Sequence, residues 1–282
     1  MRLREKEMNK GILVTGSHRS GTTWVGKILS LAQNVEYANE PFNPKFGLRF
    51  FKTWFKYIKE DKEAEKEIQK LLQFKGNFRF NLPALKYWSN RFSQNKVVLI
   101  KDPIACFSSD WLSSRFNIPV LVIFRHPAAF YASLKRLDWH FDFQNLLSQK
   151  ELMADHLEPL RGLMEKEKSF AEEAATLWLC LYTILDKYIQ KNKNWIVKRH
   201  EDISLNPVEE FKDIYQRLDL KFTKEIEKEI EKHSQGKVET RKELELNRNS
   251  KELIQNWKKH VTEEELKTIL SITKEISQKY YP

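Results

Sequence analysis

Unbroken apolar runs recur along the chain at Ile12-Leu13-Val14, Val97-Val98-Leu99-Ile100, Val120-Leu121-Val122-Ile123-Phe124 and Trp195-Ile196-Val197. Runs this short, without polar alternation, predict strands buried on both faces of a parallel sheet. Between them the apolar spacing turns helical. Trp24, Val25, Ile28, Leu29 and Ala32 predict a helix over 22–33. Further helices are expected over 128–137, 168–190, 207–217, 223–233 and 263–279. Strands alternating with helices predict an α/β fold with helices on both sides of the sheet. Pro41 and Pro44 exclude a helix from the segment Asn39-Glu40-Pro41-Phe42-Asn43-Pro44 and predict extended backbone. Residues 48–94 are rich in aromatics and read as a helical insertion, and 234–250 as a polar loop. The length of 282 residues suits one domain over 1–282, insertion included.

Polar clusters close three of the strands: Lys101-Asp102-Pro103, Arg125-His126-Pro127 and His200-Glu201-Asp202. An open parallel sheet binds ligands beyond the carboxyl ends of its strands. Arg19, Lys101, Arg125 and Glu201 are therefore expected along one edge. The segment Gly16-Ser17-His18-Arg19-Ser20-Gly21-Thr22-Thr23-Trp24 follows a strand and precedes a helix. That is the setting of a loop that cradles phosphate with backbone N–H groups. Its spacing fits G-x-x-x-x-G-K-[ST] except at Thr22, which stands in place of the lysine. Without that lysine, a phosphate grip without phosphoryl transfer is expected. Arg125 precedes a helix and Ser133 lies two turns into it, so both can reach one phosphate.

Composition narrows the partners. Lysine and arginine number 49 against 39 acidic residues, a net charge of +10. The excess suits anionic ligands, although much of it lies in Lys/Glu mixtures typical of solvated helices. The start of the chain has no apolar leader region and no run approaches a membrane span. Cys106 and Cys180 have no metal-type spacing and suit a reducing compartment. A cytoplasmic protein without a metal is expected. A hydrolase elbow G-x-S-x-G is missing from the sequence.

Taken together, His18 to Trp24, Lys101-Asp102-Pro103, Arg125-His126-Pro127 through Ser133 and Trp257-Lys258-Lys259-His260-Val261-Thr262 resemble the sulfotransferases that use 3′-phosphoadenosine-5′-phosphosulfate (PAPS). The motifs stand in family order from about residue 11 to 262. The resemblance implies a P-loop-like parallel sheet and in-line transfer of a sulfuryl group to an acceptor hydroxyl, with no metal. It implies that Ser20, Gly21, Thr22 and Thr23 hold the 5′-phosphate and that Trp24 stacks on adenine. Arg125 and Ser133 would hold the 3′-phosphate, with Arg248 helping. Arg19 and Lys101 would flank the sulfuryl oxygens. Arg19 in place of lysine, together with Glu40-Pro41, is similar to the carbohydrate and tyrosylprotein branches. There a glutamate takes the acceptor proton, which nominates Glu40, with His18 or His140 as substitutes. A saccharide acceptor follows from that likeness, with a small alcohol, lipid or phenol as the alternative. A nucleotide kinase with a degenerate loop, and a non-catalytic binder of nucleic acid or anionic polymer, are the competing classes.

Overall fold

The computed structural model describes residues 10–73, 96–234 and 254–282. Five parallel strands form one sheet in the order β2-β3-β1-β4-β5. They are β1 (Lys10–Gly16), β2 (Val35–Asn39), β3 (Val97–Lys101), β4 (Val120–Phe124) and β5 (Ile196–Arg199). Four of them are the apolar runs of the sequence. The fifth, β2, lies where no strand is expected. Only Val35 of it is fully buried, and as an edge strand it carries too few apolar residues to stand out.

The period of two sorts each strand between two cores. Ile12, Val14, Leu99, Leu121 and Ile123 face α1 (Thr22–Leu29), and with them pack Phe211 and Tyr215 of a later helix. Leu13, Val98, Ile100, Val120, Val122 and Phe124 face the opposite core, built on Trp178, Tyr182 and Leu185. Helices therefore cover both faces, as the α/β expectation requires.

The remaining helices follow in chain order. They are α2 (Lys62–Leu72), α3 (Ser109–Phe116), α4 (Pro127–Lys135) and three short segments, α5 (Gln144–Leu147), α6 (Lys150–Leu152) and α7 (Arg161–Glu165). After them come α8 (Phe170–Lys191), α9 (His200–Leu205), α10 (Pro207–Arg217), α11 (Lys224–Ser234) and a C-terminal helix, Glu263–Tyr280. Pro127 and Pro207 occupy first-turn positions, where the missing N–H costs nothing. Capping boxes start α8 (Ser169 with Glu172) and the C-terminal helix (Thr262 with Glu265).

Two expectations need correction. Past Asn39, the last residue of β2, the segment 40–44 is not extended: Glu40 has φ 49° and the Asn43 amide donates to the Glu40 carbonyl at 3.1 Å, closing a turn. Glu40 directly precedes Pro41 and so departs from the extended backbone preferred before proline; its amide bond to the Lys101 carbonyl at 2.8 Å helps hold it there. The insertion 48–94 is only partly helical. Residues 48–61 hold no helix, and α2 begins at an Asp61 cap whose Oδ1 accepts two amides at 3.0 Å. Residues 74–94 of that insertion and residues 235–250 of the expected loop, Arg248 among them, lie outside the described residues.

Candidate active site

β1 is the strand from which the sheet is built in both directions, with β3 on one side and β4 on the other. The loop after β1 therefore emerges between the carboxyl ends of β3 and β4, the place an open α/β sheet offers a ligand. Gly16 opens it at φ 148°, and a Cβ there would stand 2.3 Å from the Ile123 carbonyl oxygen. Ser17 is buried and pinned: its amide and hydroxyl lie 3.2 and 3.0 Å from the Tyr182 hydroxyl, which donates to the Ile123 carbonyl at 3.0 Å. The Ser20 hydroxyl donates to the Ser17 carbonyl at 2.6 Å, so this side chain closes the turn. Gly21 takes the left-handed φ of 92° and gives α1 no side-chain cap. No acidic residue stands in the first turn of α1. Its amides and dipole are thus left for an anion. Thr22 is buried beneath this turn and Thr23 is exposed on it.

The two phosphate motifs of the sequence meet here. Arg19, at φ 65°, donates from Nε to Ser133 Oγ at 3.0 Å. The Arg125 guanidinium donates back to the Arg19 carbonyl. Arg125 Nε and Trp24 Nε1 are buried donors without a partner among the described residues. Burial draws the Arg125 guanidinium down to about 10, a sign of how much an anion would relieve it. Trp24 stands edge-on to His200 and Phe211, at 6.3 and 5.3 Å between centroids. His200 in turn packs over Gly21, where a Cβ would come within 2.4 Å of its Nδ1.

On the other flank Lys101, 1% exposed, reaches Glu40 Oε1 at 2.6 Å. Asn43 Nδ2 donates to Glu40 Oε2 at 2.8 Å, and the Glu40 amide donates to the Lys101 carbonyl at 2.8 Å. Gly26 of α1 makes room for this lysine, since a Cβ there would lie 2.8 Å from Lys101 Cγ. Glu201 sits at the same edge, but its carboxylate accepts the His126 amide at 3.0 Å and the Tyr281 hydroxyl at 2.8 Å. It ties the start of α9 to the start of α4 and to the C-terminal segment. His140, side chain 60% exposed, turns to Glu173 at 2.9 Å.

A family model described as a sulfotransferase family matches residues 11–224. The chain belongs to the sulfotransferase family. A sulfotransferase domain from the curacin biosynthetic pathway superposes with a TM-score of 0.53 at 16% identity, covering 94% of this chain and 98% of that one. That likeness shows the shared fold. A sulfotransferase domain of the Synechococcus PCC 7002 olefin synthase gives 0.49 at 13% identity, over 98% of each chain. Mouse sulfotransferase SULT7A1 complexed with PAP gives 0.46 at 11%, over 95% of this chain and 84% of that one. No curated protein matches.

The segment 257–262, likened to the family in sequence, lies beyond the matched residues 11–224. Trp257 stacks on His126 at 5.0 Å and 14°, so the late segment is clamped over the start of α4. Among the described residues there is no helix long and apolar enough to cross a membrane, and no acidic, His or Cys cluster fit for a metal. Both cysteines are free and buried.

Three residues of this site carry roles the sequence does not announce. Asp102 is fully buried, and its Oδ2 accepts the Phe42 amide at 2.6 Å while Oδ1 accepts those of Ile104 and Ala105 at 2.8 and 3.2 Å. The Asp-Pro pair signals the local cap. The bond to Phe42 spans 60 positions and leaves no local trace. Tyr182 is likewise joined to the site by a contact made only in the fold, whereas Asn43 reaches Glu40 across three positions, through the local turn.

Proposed function

We propose that this sulfotransferase takes its sulfuryl group from PAPS and passes it to an acceptor hydroxyl, with Glu40 receiving the hydroxyl proton. The observation that supports this most is the Glu40–Lys101 pair at 2.6 Å, at the β3 end, opposite the Arg19–Ser133–Arg125 group on the β4 side. The orphan donors Arg125 Nε and Trp24 Nε1 and the uncapped α1 N-terminus fit a nucleotide carrying phosphates at two positions. Ser20, Gly21, Thr22 and Thr23 offer the 5′ end backbone and hydroxyl donors, and Arg125 with Ser133 serves the 3′ end. Trp24 beside His200 forms the wall for the base.

In this reading the acceptor oxygen forms a bond to sulfur as the bond from sulfur to the bridging phosphate oxygen breaks. The electron pair leaves with the phosphate, and Glu40 holds the released proton. Lys101 and Arg19 offset charge on the oxygens between donor and acceptor. Such a spread-out transition state asks mainly for positioning and fixed charge. Thr22 in place of a P-loop lysine is compatible with this, because a sulfuryl group carries less negative charge than a phosphoryl group.

The acceptor is proposed here only as a hydroxyl. In the aromatic-rich segment after residue 48, Phe51 and Phe55 are 2% and 1% exposed and belong to the core, so they are not free to stack on a sugar. The test is Glu40→Gln. It is expected to bind PAP as the wild type does and to lose turnover by about 10²–10⁴-fold. Full turnover in that variant contradicts the assignment.

A further inference from the structure

A cleft of about 480 Å³ opens between α3, the last turns of α8 and residues 57–59 and 155–156. That volume is in the range of small-molecule sites, roughly 300–1,000 Å³. α8 ends just before β5 begins, so its last turns lie toward the amino ends of the strands, whereas the donor loop lies at their carboxyl ends. None of the residues lining the cleft belongs to the sulfotransferase motifs.

The walls are aromatic and held in place. His156 stands between Tyr57 and Tyr188, edge-on to both, with centroids 5.2 and 5.6 Å away. The Tyr57 hydroxyl donates to Asp155 Oδ2 at 2.8 Å, and the Tyr188 hydroxyl donates to the Phe107 carbonyl at 3.0 Å. Trp111 and Ile58, both buried, complete the apolar lining. The backbone around Tyr57 is itself anchored. Its amide donates to Gln149 Oε1 at 2.9 Å, and Ser108 Oγ donates to the Lys56 carbonyl at 2.5 Å.

The charges of the cleft do not cancel. Lys59 pairs with Asp155 at 3.0 Å and Lys191 with Asp110 at 2.8 Å. Lys187 is exposed and has no carboxylate partner among the described residues. Burial, then the Lys187 cation, lowers the His156 pKa from its usual 6.5, so the imidazole adds no charge at neutral pH. Three lysines thus face two aspartates, which leaves one positive charge in excess.

We propose that this cleft is a second ligand site, separate from sulfuryl transfer, that takes a planar aromatic monoanion. Its rings lie against Tyr57, Trp111 and Tyr188, and its anionic group meets Lys187. Aromatic walls with one charged group placed among them are the usual make-up of a small-molecule site. A neutral ring would forgo the charge-assisted bond from Lys187. A second negative charge on the ligand would be repelled by Asp110 and Asp155.

The test is calorimetric titration of the full chain with 2-naphthoate, with and without saturating PAP. 2-Naphthoate is expected to bind equally well in both conditions. Its neutral counterpart 2-naphthamide should bind about fivefold or more weakly. Lys187→Gln should weaken 2-naphthoate by about fivefold or more and leave 2-naphthamide and PAP unchanged. Lys187→Glu should weaken it further and gain affinity for the 2-naphthylmethylammonium cation, a gain that a misfolded chain would not show. A chain that binds 2-naphthoate in this way but ignores PAP supports the second site and removes the donor reading. Absence of 2-naphthoate binding, competition with PAP, or an affinity unmoved by the Lys187 variants overturns the proposal and leaves the donor reading intact.

Discussion

Asp102 accepts the Phe42 amide at 2.6 Å, and this bond ties the turn carrying Glu40 to the end of β3. Glu40 itself is held between Lys101 and Asn43, so its aim depends on how that turn is anchored. Asp102→Asn turns an acceptor toward a donor on one side. The variant is expected to lose turnover by about 10–100-fold while its PAP affinity stays within about twofold. Steady-state kinetics alongside calorimetry separates the two. An equal loss in both would mean Asp102 supports the donor loop rather than Glu40.

The same carboxyl group predicts a pH response. Burial, then the nearby Glu40 charge, lifts Asp102 to about 7, against the pull of the Phe42 amide and the Lys101 cation. Tyr37 and Cys106 are the other titratable groups it faces, and both are held neutral by burial. Protonation of Asp102 weakens its grip on Phe42. Turnover is expected to decline as pH falls through about 7, and Asp102→Asn should flatten that limb. An unchanged acid limb in the variant assigns it to another group.

Gly26 is where α1 lets Lys101 pass. An alanine Cβ would meet Lys101 Cγ at 2.8 Å and Tyr37 Cε2 at 3.0 Å. Alanine gains about 1 kcal/mol of helix propensity, and overpacking costs about 1–3 kcal/mol. Gly26→Ala should therefore fold with a modest change in denaturant midpoint. Displacement of Lys101 from Glu40 should still lower kcat more than tenfold. A variant with wild-type kcat would show that the Lys101–Glu40 geometry is not needed for turnover.

Three histidines make the fold acid-sensitive. Burial pushes His18 and His200 to about 3 and His126 to about 4, all from the usual 6.5. Between those values and about 6.5 the unfolded chain binds protons that the native chain refuses. Their contribution is whole above about 6.5 and is lost as pH falls, by up to about 1.4 kcal/mol per unit for each group. Asp102 works the other way: its raised native value makes the folded chain bind a proton the unfolded chain releases, so its share is lost as pH rises from about 4 to about 7. The three outweigh the one. The urea midpoint should be lower at pH 5.0 than at 7.5, and an equal or higher one contradicts the balance.

How much of this was readable in advance depends on range. The apolar runs of β1, β3, β4 and β5 and the Gly16–Gly21 spacing are local signals, and the sheet and its loop follow from them. Ser133 and Arg125 were legible as a pair because an arginine before a helix and a serine two turns in share one helix end. β2 escaped because an edge strand needs few apolar residues. The Glu40 turn escaped because its φ is fixed by Lys101 and Asp102, about 60 positions away. The rings packed around His18, those of Phe55, Phe130 and Trp139, come from separate segments, which no spacing reveals.

The central claim is the donor site, and calorimetric titration with PAP in the absence of magnesium tests it most directly. PAP is expected to bind tightly, ATP much more weakly, and Arg125→Ala to abolish PAP binding. A wild-type protein that ignores PAP, or that binds ATP only with magnesium, would contradict it.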